Sequence, residues 1–160
     1  QEWWPGTNAL LLASGDAAGN VIVWEGTAAA SMAAGTHPDT ATTAAITDVR
    51  WAANTAHFAV GSQDGAVRLF DAHQSASLAT WLQGKDAVSA LTWQRAQNLV
   101  AVALANGSLQ LWNAANNHLF TTLPGAPTNI TSLAWSADAR WLAAGAADGR
   151  ILLWNTSNLG

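Results

Sequence analysis

The stretch Asp64–Asp71, with the sequence DGAVRLFD, joins a tight-turn pair to an alternating apolar run that ends in an aromatic residue. Copies of it occur at 106–113 (NGSLQLWN) and 148–155 (DGRILLWN), and a weaker copy at 18–25 (AGNVIVWE). The terminal aromatic residues stand at positions 24, 70, 112 and 154, so the copies are 46, 42 and 42 residues apart. A second aromatic residue recurs at 51, 93 and 135, each 19 residues before its partner. Repetition at a near-fixed period of this length is typical of repeat architectures.

Each repeat contains short apolar segments separated by turn residues. An Asp-Gly or Asn-Gly pair between two apolar runs predicts a β-hairpin, because its turn requires positive φ, which Gly and Asn adopt at low cost. Four antiparallel strands in about 42 residues are typical of a β-propeller blade. The predicted strands are 10–13, 20–24 and 28–34 in the first repeat, 46–51, 57–61, 66–70 and 78–82 in the second, 88–93, 99–103, 108–112 and 118–123 in the third, and 130–135, 141–145 and 150–154 in the fourth. The segment 28–34 is rich in alanine, a poor strand former, so a helix is the alternative there.

The sequence resembles the WD40-repeat family over essentially its whole length. The resemblance rests on the Asp/Asn-Gly turns, the apolar alternation and the terminal pairs Trp24-Glu25, Phe70-Asp71, Trp112-Asn113 and Trp154-Asn155. It implies an all-β propeller of about four blades, at approximately 1–34, 46–82, 88–123 and 130–160, with the last blade incomplete. Family membership also implies protein or peptide binding over the top face and central channel.

The repeats depart from the family in a polar tetrad of His, Ser or Thr, Asp and Trp that often ties WD40 blades together. The serine position holds Ser14 in the first repeat but Val60, Val102 and Ala144 in the others, and no repeat keeps all four members. We therefore expect blade cohesion to rest on apolar stacking and on the Asp/Asn-Gly turns.

About four blades are fewer than the seven or eight that the family usually closes into a ring, and open sheet edges are templates for association. Three arrangements are open: a segment of a larger propeller, two copies joined into an eight-bladed ring, or four blades that close by themselves. The first is favoured, followed by the second.

The composition of the chain limits the classes of partner and of chemistry that we expect. Only 10% of the 160 residues are charged, the net charge is −4, and Lys85 is the single lysine. This balance argues against nucleic acid and membrane partners. The absence of cysteine excludes disulfides and thiol catalysis, and the four histidines lack metal-ligand spacing. We predict no catalytic residue, metal or cofactor, and a protein that is not an enzyme.

Ten tryptophans could indicate carbohydrate or base stacking. Seven of them fall on repeated positions and are expected to fill the space between blades, because large aromatic side chains dominate core burial. The repeat leaves Trp3, Trp81 and Trp141 unassigned.

The candidate partner-binding residues lie in loops that the family resemblance places on the top face. The longest connection contains His37-Pro38-Asp39, and insertions of this kind often carry binding functions. The other turn residues have a structural alternative, since Asp and Asn stabilise such turns by bonding their own backbone. The predicted set is His37, Asp39, Asp64, Lys85, Asp86, Asn106 and Asp148.

Two functions follow from these patterns. The first is a non-enzymatic interaction scaffold that binds a protein or peptide through its top-face loops. The second is a structural building block, in which low charge and open blade edges serve self-assembly as a homodimeric ring or a polymer. An enzyme or a small-ligand lectin is a weaker third interpretation.

Overall fold

A computed structural model describes residues 2–4, 10–26, 33–37, 44–53, 55–74, 77–157 and 159. All regular structure within these ranges is β-strand, which confirms the predicted all-β fold. The strands are β1 (Glu2–Trp4), β2 (Leu10–Gly15), β3 (Val21–Gly26), β4 (Ala33–His37), β5 (Ile46–Trp51), β6 (His57–Ser62), β7 (Ala66–Asp71), β8 (Ser77–Gln83), β9 (Val88–Trp93), β10 (Leu99–Leu104), β11 (Leu109–Asn113), β12 (His118–Leu123), β13 (Ile130–Trp135), β14 (Trp141–Ala146) and β15 (Ile151–Asn155).

The strands form four antiparallel sheets in which neighbours in sequence are neighbours in space. We call them blade 1 (β1–β4), blade 2 (β5–β8), blade 3 (β9–β12) and blade 4 (β13–β15). Blades 1 to 3 have four strands, and the described part of blade 4 has three. Each repeat of the sequence therefore folds as one meander.

The outer strand of blade 1 ends later in the chain than its sequence predicted. The described strand, Ala33–His37, pairs with β3, with Val21 opposite His37. Its last residue lies beyond the predicted end at 34, because an alanine-rich stretch gives no signal of where a strand ends. Residues 28–32 lie outside the described part of the chain.

The hairpin turns between the second and third strands follow the predicted chemistry. Gly19, Gly65, Gly107 and Gly149 have φ of 85°, 78°, 88° and 85°, in the left-handed region that favours glycine. In blades 2 to 4, the Asp or Asn before the glycine accepts a hydrogen bond from the backbone N–H two residues later, at 3.1 Å for Asp64, 2.8 Å for Asn106 and 3.1 Å for Asp148. The turn pair thus fixes the register of each central hairpin.

The core lies between blades. One cluster joins Leu11 and Val23 of blade 1 to Phe58 and Phe70 of blade 2. A second joins blade 2 to blade 3, and a third joins blade 3 to blade 4. Apolar stacking between neighbouring sheets therefore supplies the cohesion, as the loss of the polar tetrad predicted.

A small residue at one repeat position allows the blades to approach closely. A Cβ added to Gly61 in β6 would lie 2.5 Å from Cγ1 of Val88 in the next blade. At the equivalent position in blade 1, a Cβ on Gly15 would collide with Cγ2 of Ile46. The second strand of one blade therefore rests directly against the innermost strand of the next.

Candidate functional site: the top-face turns

The top face is the end of the blades that carries the turns between the second and third strands. In an antiparallel meander, the connection from each outer strand to the next blade emerges at the same end. Residues 63–65, 84–87, 105–108, 124–129 and 147–150 therefore share this end. Asp64, Lys85, Asp86, Asn106 and Asp148 all lie on it and all are exposed.

The structure brings two of the predicted residues into direct contact. Asn106 donates a hydrogen bond from Nδ2 to Oδ2 of Asp86 at 2.8 Å. The residues come from different loops of blade 3, the turn after β10 and the connection before β9. This bond orients the Asp86 carboxylate, which is otherwise exposed on the top face.

Blade 2 and blade 3 also meet on this face. A Cβ added to Gly65 would lie 2.7 Å from the carbonyl oxygen of Asp86 and 2.8 Å from that of Gly84. The turn that contains Asp64 therefore packs against the backbone of the loop that contains Lys85 and Asp86. These three residues and Asn106 are exposed on neighbouring loops, and we refer to them as one exposed group.

The acidic turn residues also have structural partners. Asp64 accepts a hydrogen bond from the Ser62 hydroxyl, and its Oδ2 lies 3.6 Å from Nη2 of Arg68. Asp148 accepts from Nε of Arg150 at 2.7 Å, and this bond holds the pKa of the Asp148 carboxyl below its ordinary value of 3.8. The two carboxylates are therefore exposed to solvent and at the same time stabilise their own turns.

Two of the remaining predicted residues, His37 and Asp148, lie on other blades. His37 is the last residue of β4 and pairs with Val21, so it lies at the top-face end of blade 1, at the end of the strand rather than within the loop that follows. Asp148 lies in the top-face turn of blade 4. Asp39 lies outside the described part of the chain.

The tryptophans without a repeat position have different environments. Trp81 is 2% exposed, stacks on Trp112 with ring centroids 5.8 Å apart, and donates from Nε1 to Oδ1 of Asn117 at 3.1 Å. It therefore stabilises the contact between blades 2 and 3. Trp141 is 43% exposed on blade 4, and the side chain of Trp3 lies outside the described structure.

Sequence reasoning missed a polar link between blades 2 and 3. Asp48 Oδ2 accepts a hydrogen bond from the Leu91 N–H at 2.8 Å, and Arg50 Nε donates to the Leu91 carbonyl oxygen at 3.2 Å. The two side chains pair at 3.0 Å. Burial raises the pKa of the Asp48 carboxyl, against the Leu91 N–H and the Arg50 charge, which lower it.

Alignment of the repeats contains the signal for this link. The positions of Asp48 and Arg50 are occupied by Ala90 and Thr92 in blade 3. They are occupied by Ser132 and Ala134 in blade 4. Charged residues at two inner-strand positions in one repeat alone indicate a special contact rather than a general feature of the blade.

A cavity lies at the opposite end of the blades, and we call it the lower cavity. It has a volume of about 550 Å³ and is lined by the ends of β5, β9 and β13 and the turns that follow them. The lining includes Arg50, Trp93, Arg95 and Trp135.

Two kinds of site find no support in the part of the chain that the structure describes. There is no group of three or more His, Asp or Glu side chains placed to hold a metal ion. No helix in these ranges has the length and apolar character needed to span a membrane.

A comparison with family models identifies the fold. Residues 36–160 match the model described as the IFT140 first beta-propeller. The chain belongs to this β-propeller family. This membership confirms the predicted WD40-like propeller, and propeller domains of this kind are typical of protein-interaction scaffolds.

Solved structures show the same fold. The chain is 20% identical to the computationally designed Ika4 protein, with a TM-score of 0.75, over 96% of this chain and 88% of that one. It is 24% identical to a chain in the crystal structure of a mitotic checkpoint complex, with a TM-score of 0.79, over 98% of this chain and 48% of that one. The present chain thus spans about half the length of that second match. A search of curated proteins gave no significant match.

Proposed function

We propose that this propeller is a non-enzymatic scaffold that binds a protein or peptide partner through its top face. The observation that supports this proposal is the exposed group formed by Asp64, Lys85, Asp86 and Asn106, which three loops of two adjacent blades bring together. Rigid strands position these loops, and loops held by a rigid scaffold are where proteins commonly carry binding residues.

The composition of this group favours a polar partner surface. It presents both signs of charge and an amide within one small area, so complementary charges on the partner would fix its orientation. The net charge of −4 disfavours nucleic acid and anionic membranes as partners.

The proposal is tested by affinity capture from cells that express the protein, with quantitative mass spectrometry. The variant Lys85→Ala/Asp86→Ala removes two exposed side chains of the group, and Arg140→Ala removes an exposed charge at the opposite end as a matched control. We expect at least one protein to be retained by wild type and by Arg140→Ala but lost by the double variant. Identical sets of captured proteins for all three would contradict the top-face assignment.

A second function, self-assembly, is supported by a separate observation on blade 4. Ile151 and Leu153 of β15 are 76% and 63% exposed, whereas their equivalents in blade 2, Val67 and Leu69, are 0% and 3% exposed. In blade 2 these positions are covered by blade 3. We propose that the blade 4 face, which includes Ile151, Leu153 and Trp141, docks against a second copy to extend or close the ring.

The mass in solution tests this second function. A homodimer would have twice the monomer mass of 16.6 kDa, about 33 kDa, and a polymer would be larger. The variant Ile151→Asp/Leu153→Asp is expected to remain monomeric, because charge on an apolar interface opposes docking. Leu119→Asp, at a position that is 46% exposed on the outer strand of blade 3, is the control and should assemble like wild type. A wild-type monomer at every concentration would contradict self-assembly.

A further inference from the structure

The lower cavity has the size and position of a ligand site. Its volume of about 550 Å³ falls in the range of roughly 300–1,000 Å³ that is usual for such sites. Its walls come from three consecutive blades, so the folded scaffold preforms it. It lies at the end opposite to the top face, so a ligand in this cavity would bind independently of a partner on the top face.

Two arginines line this cavity. Two of the six Lys and Arg residues of the chain, Arg50 and Arg95, line it, and no Asp or Glu is among the described lining residues. Arg95 is exposed and makes no hydrogen bond or ion pair with the described part of the chain. Arg50 is already paired with Asp48 through Nη1, so Arg95 is the stronger anchor for an anion.

Two buried hydrogen-bond donors belong to side chains of the cavity wall. The indole N–H groups of Trp93 and Trp135 have no acceptor among the described residues, and both nitrogens are covered from solvent. Buried polar groups are paired in the great majority of folded proteins, so a ligand that turned these rings toward the cavity would supply the missing acceptors. Much of the remaining wall consists of small side chains, and Ala53, Ala96 and Ala134 leave room for the backbone of a ligand.

We propose that the lower cavity binds an acidic peptide segment of a partner protein. A Glu or Asp carboxylate would pair with the guanidinium of Arg95 and with the remaining terminal nitrogen of Arg50, in charge-assisted hydrogen bonds. After a small rotation of the rings, the indole N–H groups of Trp93 and Trp135 donate to carbonyl oxygens of the peptide. A short acidic segment fits better than a nucleic acid, because the described lining offers only Arg95 and the partly paired Arg50, and an extended phosphate backbone requires a row of basic side chains.

Fluorescence anisotropy with a fluorescein-labelled tetraglutamate amide tests the proposal, with the tetraglutamine peptide as the uncharged control. Wild type is expected to bind the glutamate peptide and to bind the glutamine peptide at least tenfold more weakly. Arg95→Gln should weaken glutamate binding about tenfold, the size expected for one charge-assisted hydrogen bond. Ala134→Glu, at an exposed position in the wall, should abolish it by placing a like charge in the cavity.

The control variant is Arg140→Gln, which removes an exposed charge from a turn at the same end of the propeller but outside the cavity lining. It should bind the glutamate peptide as wild type does. The proposal is overturned if no binding is seen, if the two peptides bind equally, or if Arg140→Gln weakens binding as much as Arg95→Gln. Circular dichroism of each variant separates loss of binding from loss of fold.

Discussion

Blades 3 and 4 have the same strand pattern but different surroundings. Leu109 and Leu111 in β11 are both 0% exposed, because blade 4 covers them. Their equivalents in β15, Ile151 and Leu153, are 76% and 63% exposed. The chemistry of the side chains is the same, so the neighbouring blade determines their burial.

The opposite faces of the two blades are alike. Val100 and Val102 of β10 are fully buried against blade 2, and Leu142 and Ala144 of β14 are 0% and 1% exposed against blade 3. Blade 4 is therefore packed on one face and blade 3 on both. Stability in this fold is expected to follow the number of neighbouring blades, as in other repeat proteins.

The largest difference is expected from a leucine truncation at one repeat position. Leu111→Ala removes fully buried atoms and leaves a cavity, which should lower the free energy of unfolding by about 2–5 kcal/mol. Leu153→Ala removes atoms that are mostly in water and should cost less than about 0.5 kcal/mol in the monomer. Urea denaturation of dilute samples measures both values, and equal losses would show that the neighbouring blade does not determine the contribution of this position to stability.

A glycine substitution should give the next largest difference. Gly61→Val places a side chain against Val88, 2.5 Å from the new Cβ, and should cost about 1–3 kcal/mol. At the equivalent Gly145, the new Cβ meets only the hydroxyl oxygen of Ser132, at 2.7 Å, and this exposed side chain is free to rotate. Gly145→Val should therefore cost much less. Thermal denaturation compares the two, and a similar loss of Tm for both variants would show that blade contact does not set the requirement for glycine.

Much of this comparison could be predicted from sequence. The period followed from the Asp/Asn-Gly pairs and the aromatic residues, and the apolar runs between the turns predicted the strands. The position of β4 could not be predicted, because alanine-rich segments lack a boundary signal. The contact between Arg50 and Leu91 could not be predicted either. The two residues are 41 positions apart in sequence, and their contact depends on how blades 2 and 3 stack.

The smallest expected effect concerns pH and the link between blades 2 and 3. Burial raises the pKa of Asp48 above its ordinary value of 3.8, so the folded protein holds this proton more tightly than the unfolded chain does. The contribution of Asp48 to stability is therefore greatest below pH 3.8 and falls as the pH rises through the raised pKa. Asp48→Asn removes this titration. The contact between blades 3 and 4 has Ala90 and Thr92 at these positions and should lack the effect.

Urea denaturation of wild type and Asp48→Asn at about pH 3 and about pH 6 measures this contribution. The stability of wild type relative to the variant should decrease between the two values. A relative stability that increases with pH would mean that the hydrogen bond from Leu91 and the charge of Arg50 outweigh burial.

Amide hydrogen exchange, measured strand by strand at low and high protein concentration, tests most directly whether neighbouring blades provide the stability. In dilute solution β14 and β15 should exchange faster than β10 and β11, because blade 4 is covered on one face only. At high concentration a second copy should cover Ile151 and Leu153, and the difference should shrink. Equal protection of blades 3 and 4 at every concentration would contradict the account.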